Sequence, residues 1–308
     1  MRVFNTLDEI KDIRETAVAL GNFDGVHMGH RALIRRAVDK AKEKGIKSAV
    51  FTFSNHPRNL IAGRNIVQNI ITGEQKEKII EELDVDYLFN IEFTWDICNM
   101  KPELFVEELL CRCFRMKYAI CGFNYRFGSR AEGTPELLKE MGRELDFELD
   151  MFEPVIVDGN IVSSTFIRGL IETGQVERCR KYMGERYRIT GSVVVGNKIG
   201  RTIGFPTVNQ IIDENMITPS NGVYITTCTF EGKTYPSITN IGVKPTIGDY
   251  KKNAETHIFD FSGDLYGKEI TVEFIKKTRD EKKFNGIEEL TAQIDRDCMK
   301  ARKYHGLD

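Results

Sequence analysis

The first half of the chain alternates two hydrophobic rhythms. Thr16–Leu20 (TAVAL) is a short apolar run that stops at Gly21. Residues 31–45 then space Leu33, Ile34, Ala37, Val38 and Ala41 along one helical face, with Gly45 at the stop. The runs 48–53 (SAVFTF), 86–91 (DYLFNI) and 118–121 read as further strands. Between them, Thr72 and Gln75 form a capping box ahead of Ile79, Ile80 and Leu83. Lys101-Pro102 opens a helix through Phe114, and Thr134-Pro135 opens another. Such alternation predicts an α/β domain, a Rossmann-like parallel sheet covered by helices on both faces. Ligands then sit beyond the C-terminal strand ends, where the loops begun by Gly21, Asn55-His56 and Gly122 should converge.

The texture changes near Gly184. Two short helices, about Ser164–Glu172 and Val176–Met183, precede it, each followed by glycine. After it come β-rich runs at 187–195, Gly222–Phe230, 237–241, 256–261 and 270–275, punctuated by glycine turns. They predict a small antiparallel β-barrel, closed by a C-terminal helix over about 287–304. The expected domains are 1–184 and 185–308.

Composition narrows the classes. Of 308 residues, 41% are hydrophobic and 29% charged, and the formal net charge is −2 with both signs interspersed. No basic excess marks a general nucleic-acid binder. No apolar run approaches the roughly 18 residues of a membrane span, and the charged N-terminus does not read as a signal peptide. Seven cysteines without a CxxC pair suit free or buried thiols in a reducing cytoplasm. An oligomer is allowed but not implied.

Two constellations carry chemistry. The first is GNFDGVHMGH, residues 21–30, joining a strand to a helix. Gly21, Gly25 and Gly29 let the backbone approach a phosphate, and the helix start aims amide groups and a positive dipole end at the same place. His27 and His30, three apart, share a face and can stabilise charge on an α-phosphate and departing pyrophosphate. Either histidine alone would more often be a cap or a solvated side chain. The second is GNKIGRTIGFPTVN, residues 196–209, glycine-rich but without the P-loop lysine. If that segment is extended, Thr207 and Asn209 face one side and offer oxygens suited to Mg²⁺ and ATP phosphates. Downstream, Glu255 is either a solvated strand-end charge or, within reach of a sugar-alcohol hydroxyl, a general base.

HxGH after GxFDG resembles the nucleotidylyltransferase superfamily. FTFSNHP (51–57), GFNYRFG (122–128) and VSSTFIR (162–168) resemble successive segments of bacterial FAD synthetases, with Asn55 and Val162 where proline and isoleucine are common. GRTIGFPTVN resembles the riboflavin kinase motif, and 222–224, 240–246, 264–267 and 279–284 match later family segments in order. Together the halves resemble the bifunctional riboflavin kinase/FMN adenylyltransferase family over nearly the whole chain. The resemblance implies phosphorylation of riboflavin to FMN by ATP, then adenylylation of FMN by a second ATP to give FAD and pyrophosphate. It implies that Gly21, Phe23, Asp24, His27, His30, Asn124, Ser163, Ser164, Thr165 and Arg168 bind the adenylyl-donating ATP. It implies that Gly196, Gly200, Arg201, Gly204, Thr207 and Asn209 bind the kinase ATP, with Thr207 and Asn209 toward Mg²⁺. Glu255 is then the kinase base, while His56 and Arg279 lie toward the flavin and a flap over it. The partners are riboflavin, FMN and ATP.

A transferase for another phosphorylated substrate is the nearest alternative, which the intact GFPTVN and Glu255 disfavour. A binding module without catalysis is the other, disfavoured because every proposed catalytic group is present.

Overall fold

The computed structural model describes all residues except 197, 198, 247, 248 and 308, and it leaves the side chains of 199, 201, 244–246 and 249–251 undescribed. The chain divides into two compact units, Met1–Ser164 and Thr165–Asp308.

In the first unit, β1 (Arg2–Phe4), β2 (Thr16–Leu20), β3 (Lys47–Phe53), β4 (Tyr87–Ile91), β5 (Met116–Gly122) and β6 (Glu148–Phe152) form one sheet in the order β1-β4-β3-β2-β5-β6. All five pairings are parallel. Every residue of β2 is buried, which explains its unbroken apolar run: both faces of a parallel sheet are covered. On one face α1 (Met28–Lys44) packs against β2, β3 and β5 through Leu33, Ile34, Ala37, Val38 and Ala41. On the other, Val18, Leu20, Phe51, Phe89 and Cys121 share a core with Phe105, Leu109, Phe114 and Leu138. The connections are filled by α2 (Pro57–Ala62), α3 (Gly73–Glu81), α4 (Trp95–Asn99), α5 (Pro102–Leu104) and α6 (Pro135–Leu145). The expected helix over 101–114 is present, but beyond α5 it widens into π winding over Phe105–Cys113, and the Phe114 amide donates to the Leu109 carbonyl five residues back. A short hairpin, β7 (Ile156–Val157) and β8 (Asn160–Ile161), precedes α7 (Ser164–Glu172) and α8 (Val176–Met183).

The second unit is a closed antiparallel barrel. Its strands are β9 (Arg188–Val194), β10 (Val208–Ile211), β11 (Gly222–Phe230), β12 (Lys233–Thr246), β13 (Asp249–Ile258) and β14 (Glu269–Asp280), ordered β10-β13-β12-β11-β14-β9 and sealed by pairing of β9 with β10. A short α9 (Ile199–Thr202) lies between β9 and β10, and α10 (Ile287–His305) packs on β11 and β12, where Ala301 and Cys298 meet Val223, Ile225 and Ile238. The α8 helix packs on β14.

Several expectations shift. The edge strands β1 and β6 and the short β10 are additional. The strand expected at 256–261 is instead Asp249–Ile258, and that expected at 237–241 extends to Lys233–Thr246. Prolines, lysines and asparagines break the hydrophobic alternation of these strands, but pairing on both sides overrides weak β-propensity. Among the described residues no helix is long and apolar enough to cross a membrane. All seven cysteines are free thiols.

Candidate functional site

In the first unit the chain leaves β2 and reverses direction before α1. Phe23 (φ 48°), Gly25 (φ 79°) and Val26 (φ 32°) all hold left-handed backbone. Two of these are non-glycine residues, so the loop stores strain that its surroundings must hold. Phe23 is fully buried, and the Asp24 carboxylate accepts the Ile70 amide at 2.9 Å. The Ser164 hydroxyl donates to the Asp24 carbonyl at 2.9 Å, tying the start of α7 to the same turn.

His27 caps α1. Its Nδ1 accepts the His30 amide at 3.2 Å, so the helix starts at Met28, three residues before the hydrophobic spacing suggested. An accepting Nδ1 puts the neutral ring's proton on Nε2. The His27 and His30 rings stack with centroids 3.5 Å apart, and a Cβ on Gly29 would crowd the His27 ring at 3.3 Å. Burial, then His27, then Lys76 hold the His30 pKa well below its ordinary value. The resting site thus holds His30 as a neutral imidazole, able to donate a hydrogen bond but carrying no charge. Its Nδ1 is buried with no hydrogen-bond partner among the described residues.

Beside this turn lies a cleft of about 370 Å³, open to solvent, whose lining includes Asn22, Asp24, Phe53, His56, Asn69 and Lys76. His56 caps α2, accepting the Arg58 amide at 3.2 Å. Asn124 is exposed in the turn after β5, its Oδ1 3.3 Å from where a Gly122 Cβ would sit. Gly21, His56 and Asn124 therefore follow β2, β3 and β5, three adjacent parallel strands, at one sheet edge. Ser163 precedes α7; Thr165 and Arg168 lie on it, with Arg168 one turn beyond Ser164.

In the barrel, strand register builds the site. Glu255 on β13 stands opposite Asn209 on β10 and Asn240 on β12. Asn253, two residues before Glu255 and so on its face, donates from Nδ2 to Asn209 Oδ1 at 3.2 Å and to Glu255 Oε1 at 3.3 Å. Glycines close over this row. A Cβ on Gly196 would run into the Asn209 amide, and one on Gly200 into the Phe205 carbonyl, 3.4 Å from Thr207 Oγ1. Gly204 takes φ 86° in the turn before Phe205. His257, the next residue on the Glu255 face, has Nδ1 2.7 Å from the Pro206 carbonyl, and its ring meets Phe205 edge-on. A carbonyl only accepts, so His257 carries a proton on Nδ1.

Gly196, Gly200, Thr207, Asn209 and Glu255 thus come together. The Arg201 side chain lies outside the described residues. Arg279, the penultimate residue of β14, is engaged elsewhere: its Nε donates to the buried Asp297 of α10 at 2.8 Å and its Nη1 to the Asp280 carbonyl at 2.9 Å. The sequence reading missed Lys76, Asn240, Asn253 and His257. The capping box at Thr72 was a usable signal for Lys76, since it fixes the α3 register that aims the side chain at β3.

Residues 9–166 match the family described as FAD synthetase, and residues 183–305 match that described as riboflavin kinase. A protein of Bacillus subtilis called bifunctional riboflavin kinase/FMN adenylyltransferase is 36% identical over 94% of this chain and 92% of its own length. This chain belongs to that bifunctional family. A protein of Escherichia coli K12 with the same name is 33% identical over 94% of this chain and 93% of its own. A solved structure from Streptococcus pneumoniae, described as a macrolide-efflux protein, superposes with TM-score 0.87 at 29% identity, covering 97% of this chain and 98% of the other.

The departures from the family pattern have local explanations. Asn55, where the family often has proline, binds Phe93 twice: Nδ2 donates to its carbonyl at 3.0 Å and Oδ1 accepts its amide at 2.8 Å. The side chain clamps the loops after β3 and β4 by bonding instead of backbone stiffness. Val162 and Cys179 are buried apolar positions, and burial pushes the Cys179 thiol up to about 12, leaving it inert.

Proposed function

We propose that this chain makes FMN from riboflavin in its barrel and FAD from FMN at the edge of its parallel sheet, consuming one ATP at each. The support is that one chain carries two separate sites of matching chemistry: stacked imidazoles at a strained strand-to-helix turn, and a glutamate in register with the asparagine of PTVN.

In the kinase step, Glu255 accepts the proton of the ribityl 5′-hydroxyl. The freed oxygen bonds to the γ-phosphorus of ATP while the bond to the ADP oxygen breaks. The Asn253 amide steadies the carboxylate and Asn209 together. Thr207 and Asn209 present neutral hard oxygens, a donor set that fits Mg²⁺ bound mainly through phosphates and water. When bound, Mg²⁺ supplies charge neutralisation at those phosphates. Gly196, Gly200 and Gly204 let the loop close over ATP, and Arg201 adds charge there. Arg279 takes part in the flap region.

In the adenylyl step, a phosphate oxygen of FMN bonds to the α-phosphorus of ATP and pyrophosphate leaves. No proton transfer is required. His27 donates through Nε2, His30 through its ring N–H, and Ser163, Ser164, Thr165 and Arg168 add donors and charge from the start of α7. Gly21, Phe23, Asp24 and Asn124 shape the nucleotide pocket, and His56 faces the flavin. Positioning and electrostatics carry most of both accelerations. We assign adenylyl transfer to 1–184 and the kinase step to 185–308, so that α7 counts with the adenylyl site although the contacts group Thr165 onward with the barrel. The unpaired thiols suit a reducing cytoplasm, and the partners are small molecules, without nucleic acid or membrane.

The test is to incubate the full chain with riboflavin, ATP and Mg²⁺ and follow products by chromatography. FMN should appear first and FAD after it. Binding of flavin without either product would favour the module reading.

A further inference from the structure

Lys76 is a half-buried cation for which neither reaction as described has a use. It stands on the first turn of α3, its amide donating to the carbonyl of the Thr72 cap at 2.9 Å. Its side chain crosses to the end of β3, where Nζ donates to the Phe53 carbonyl at 3.0 Å and approaches Thr52 Oγ1 at 3.4 Å. Both acceptors are neutral oxygens. Its charged neighbours are the carboxylates of Asp24 and Glu77, and of these Asp24 already accepts the Ile70 amide. Lys76 forms part of the wall of the cleft, with Asn22, Asp24, His56 and Asn69. Burial lowers the lysine's pKa, whereas the two carboxylates raise it. A partly desolvated ammonium whose hydrogen bonds go only to neutral groups gains when an anion joins it.

The sheet order says which anion. β3 and β5 flank β2 on opposite sides. Asn124, assigned to the adenylyl-donating ATP, follows β5, and Gly21 and the HxGH turn follow β2. That crevice beside the central strand is where an open parallel sheet takes its nucleotide. Lys76 and its cleft lie on the β3 side, across the strained turn from that crevice. Lys76 is still near enough to His30 to depress its pKa.

We propose that Lys76 binds the phosphate monoester of the acceptor, the 5′-phosphate of FMN, and presents its oxygen to the α-phosphorus held by the histidines. This rests on the adenylyl-transfer reading above. The phosphate carries about −1.5 to −2 charges at neutral pH, so a phosphorylated flavin in the cleft gives the ammonium the hydrogen-bonded anion that Asp24 and Glu77 do not supply. Riboflavin, lacking that group, gains nothing from Lys76. The residue therefore makes the second reaction wait for the product of the first.

The test uses the full chain with Lys76→Met and Lys76→Arg, assaying FAD formation from supplied FMN and ATP and, separately, FMN formation from riboflavin. Lys76→Met removes a charged hydrogen bond, so KM for FMN should rise about tenfold to a hundredfold. KM for ATP should stay within about twofold of wild type, and the kinase reaction should not change. Lys76→Arg, which keeps the charge, should recover most of the FMN affinity. A rise in KM for ATP instead of FMN, or no change in either, would overturn the proposal. So would two variants equally impaired with lowered melting temperatures, which would make Lys76 a structural tie between α3 and β3. Wild-type protein that forms FMN but never FAD would instead remove the adenylyl-transfer reading, and the proposal with it.

Discussion

Under the proposed function, the two sites solve one problem, holding a triphosphate beside an oxygen nucleophile, by opposite means. In the first unit the functional groups hang on loops at the ends of parallel strands. Strained backbone at Phe23 and Val26 and a buried carboxylate at Asp24 hold the shape, and the electrostatics come from burial around His30 and Lys76. In the barrel the groups sit on the strands themselves. Register places Glu255 between Asn209 and Asn240, and glycines bring the covering loop close. The barrel site should therefore respond most to steric change. The sheet-edge site should respond most to charge and pH.

The largest effect expected from this contrast is steric. Gly196→Ala drives a Cβ into the Asn209 amide. Overpacking typically costs about 1–3 kcal/mol, so kinase kcat/KM for ATP should fall roughly fivefold to 150-fold. FAD formation from FMN should be unaffected. An equal loss in both reactions would mean that the glycine serves folding instead of the site.

A smaller effect concerns His257. Its Nδ1–H holds the Pro206 carbonyl just before Thr207. Asparagine can place an amide N–H near the Nδ1 position, whereas glutamine reaches the Nε2 position. His257→Asn should keep KM for ATP near wild type, and His257→Gln should raise it about fivefold to tenfold, the worth of about one hydrogen bond. Indistinguishable variants would show that the bond does not position the loop.

The smallest effect is one of pH on the sheet-edge unit. His30 has a depressed pKa in the folded chain, so as pH falls below about 6.5 the unfolded chain takes up this proton first. Stability then declines between that pH and the folded pKa, by at most about 1.4 kcal/mol per pH unit, and the contribution is absent above it. Thermal unfolding of His30→Gln between pH 7 and pH 5 should lack this part of the acid loss. Parallel wild-type and variant curves would contradict the burial account.

The same contrast sets what the sequence revealed. The parallel sheet was legible because Thr16–Leu20 and its neighbours are continuous apolar runs, and the turn motif stood out because its glycines and histidines are adjacent in sequence. The ends of β12 and all but the last residues of β13 were not legible. One face of β13 carries Asn253, Glu255 and His257, so the site itself erased the alternation that marks a strand. Asn240 and Asn253 become partners of Glu255 only through register, which no local pattern encodes. Lys76 carries no signal of its own in the sequence, and only the packing of α3 brings it over the end of β3. Arg279 read as a flap residue, and its bond to Asp297 depends on α10, which follows it in the chain.

The central claim is that the two reactions run at separate sites on one chain. It is tested most directly by crossing two variants with two assays. Glu255→Ala should reduce FMN formation from riboflavin by about 10²- to 10⁴-fold, the range of general-base catalysis, while leaving FAD formation from supplied FMN intact. His30→Ala should do the reverse, losing about 10²- to 10³-fold in adenylyl transfer with kinase activity retained. If either folded variant lost both activities, the two-site account would be wrong.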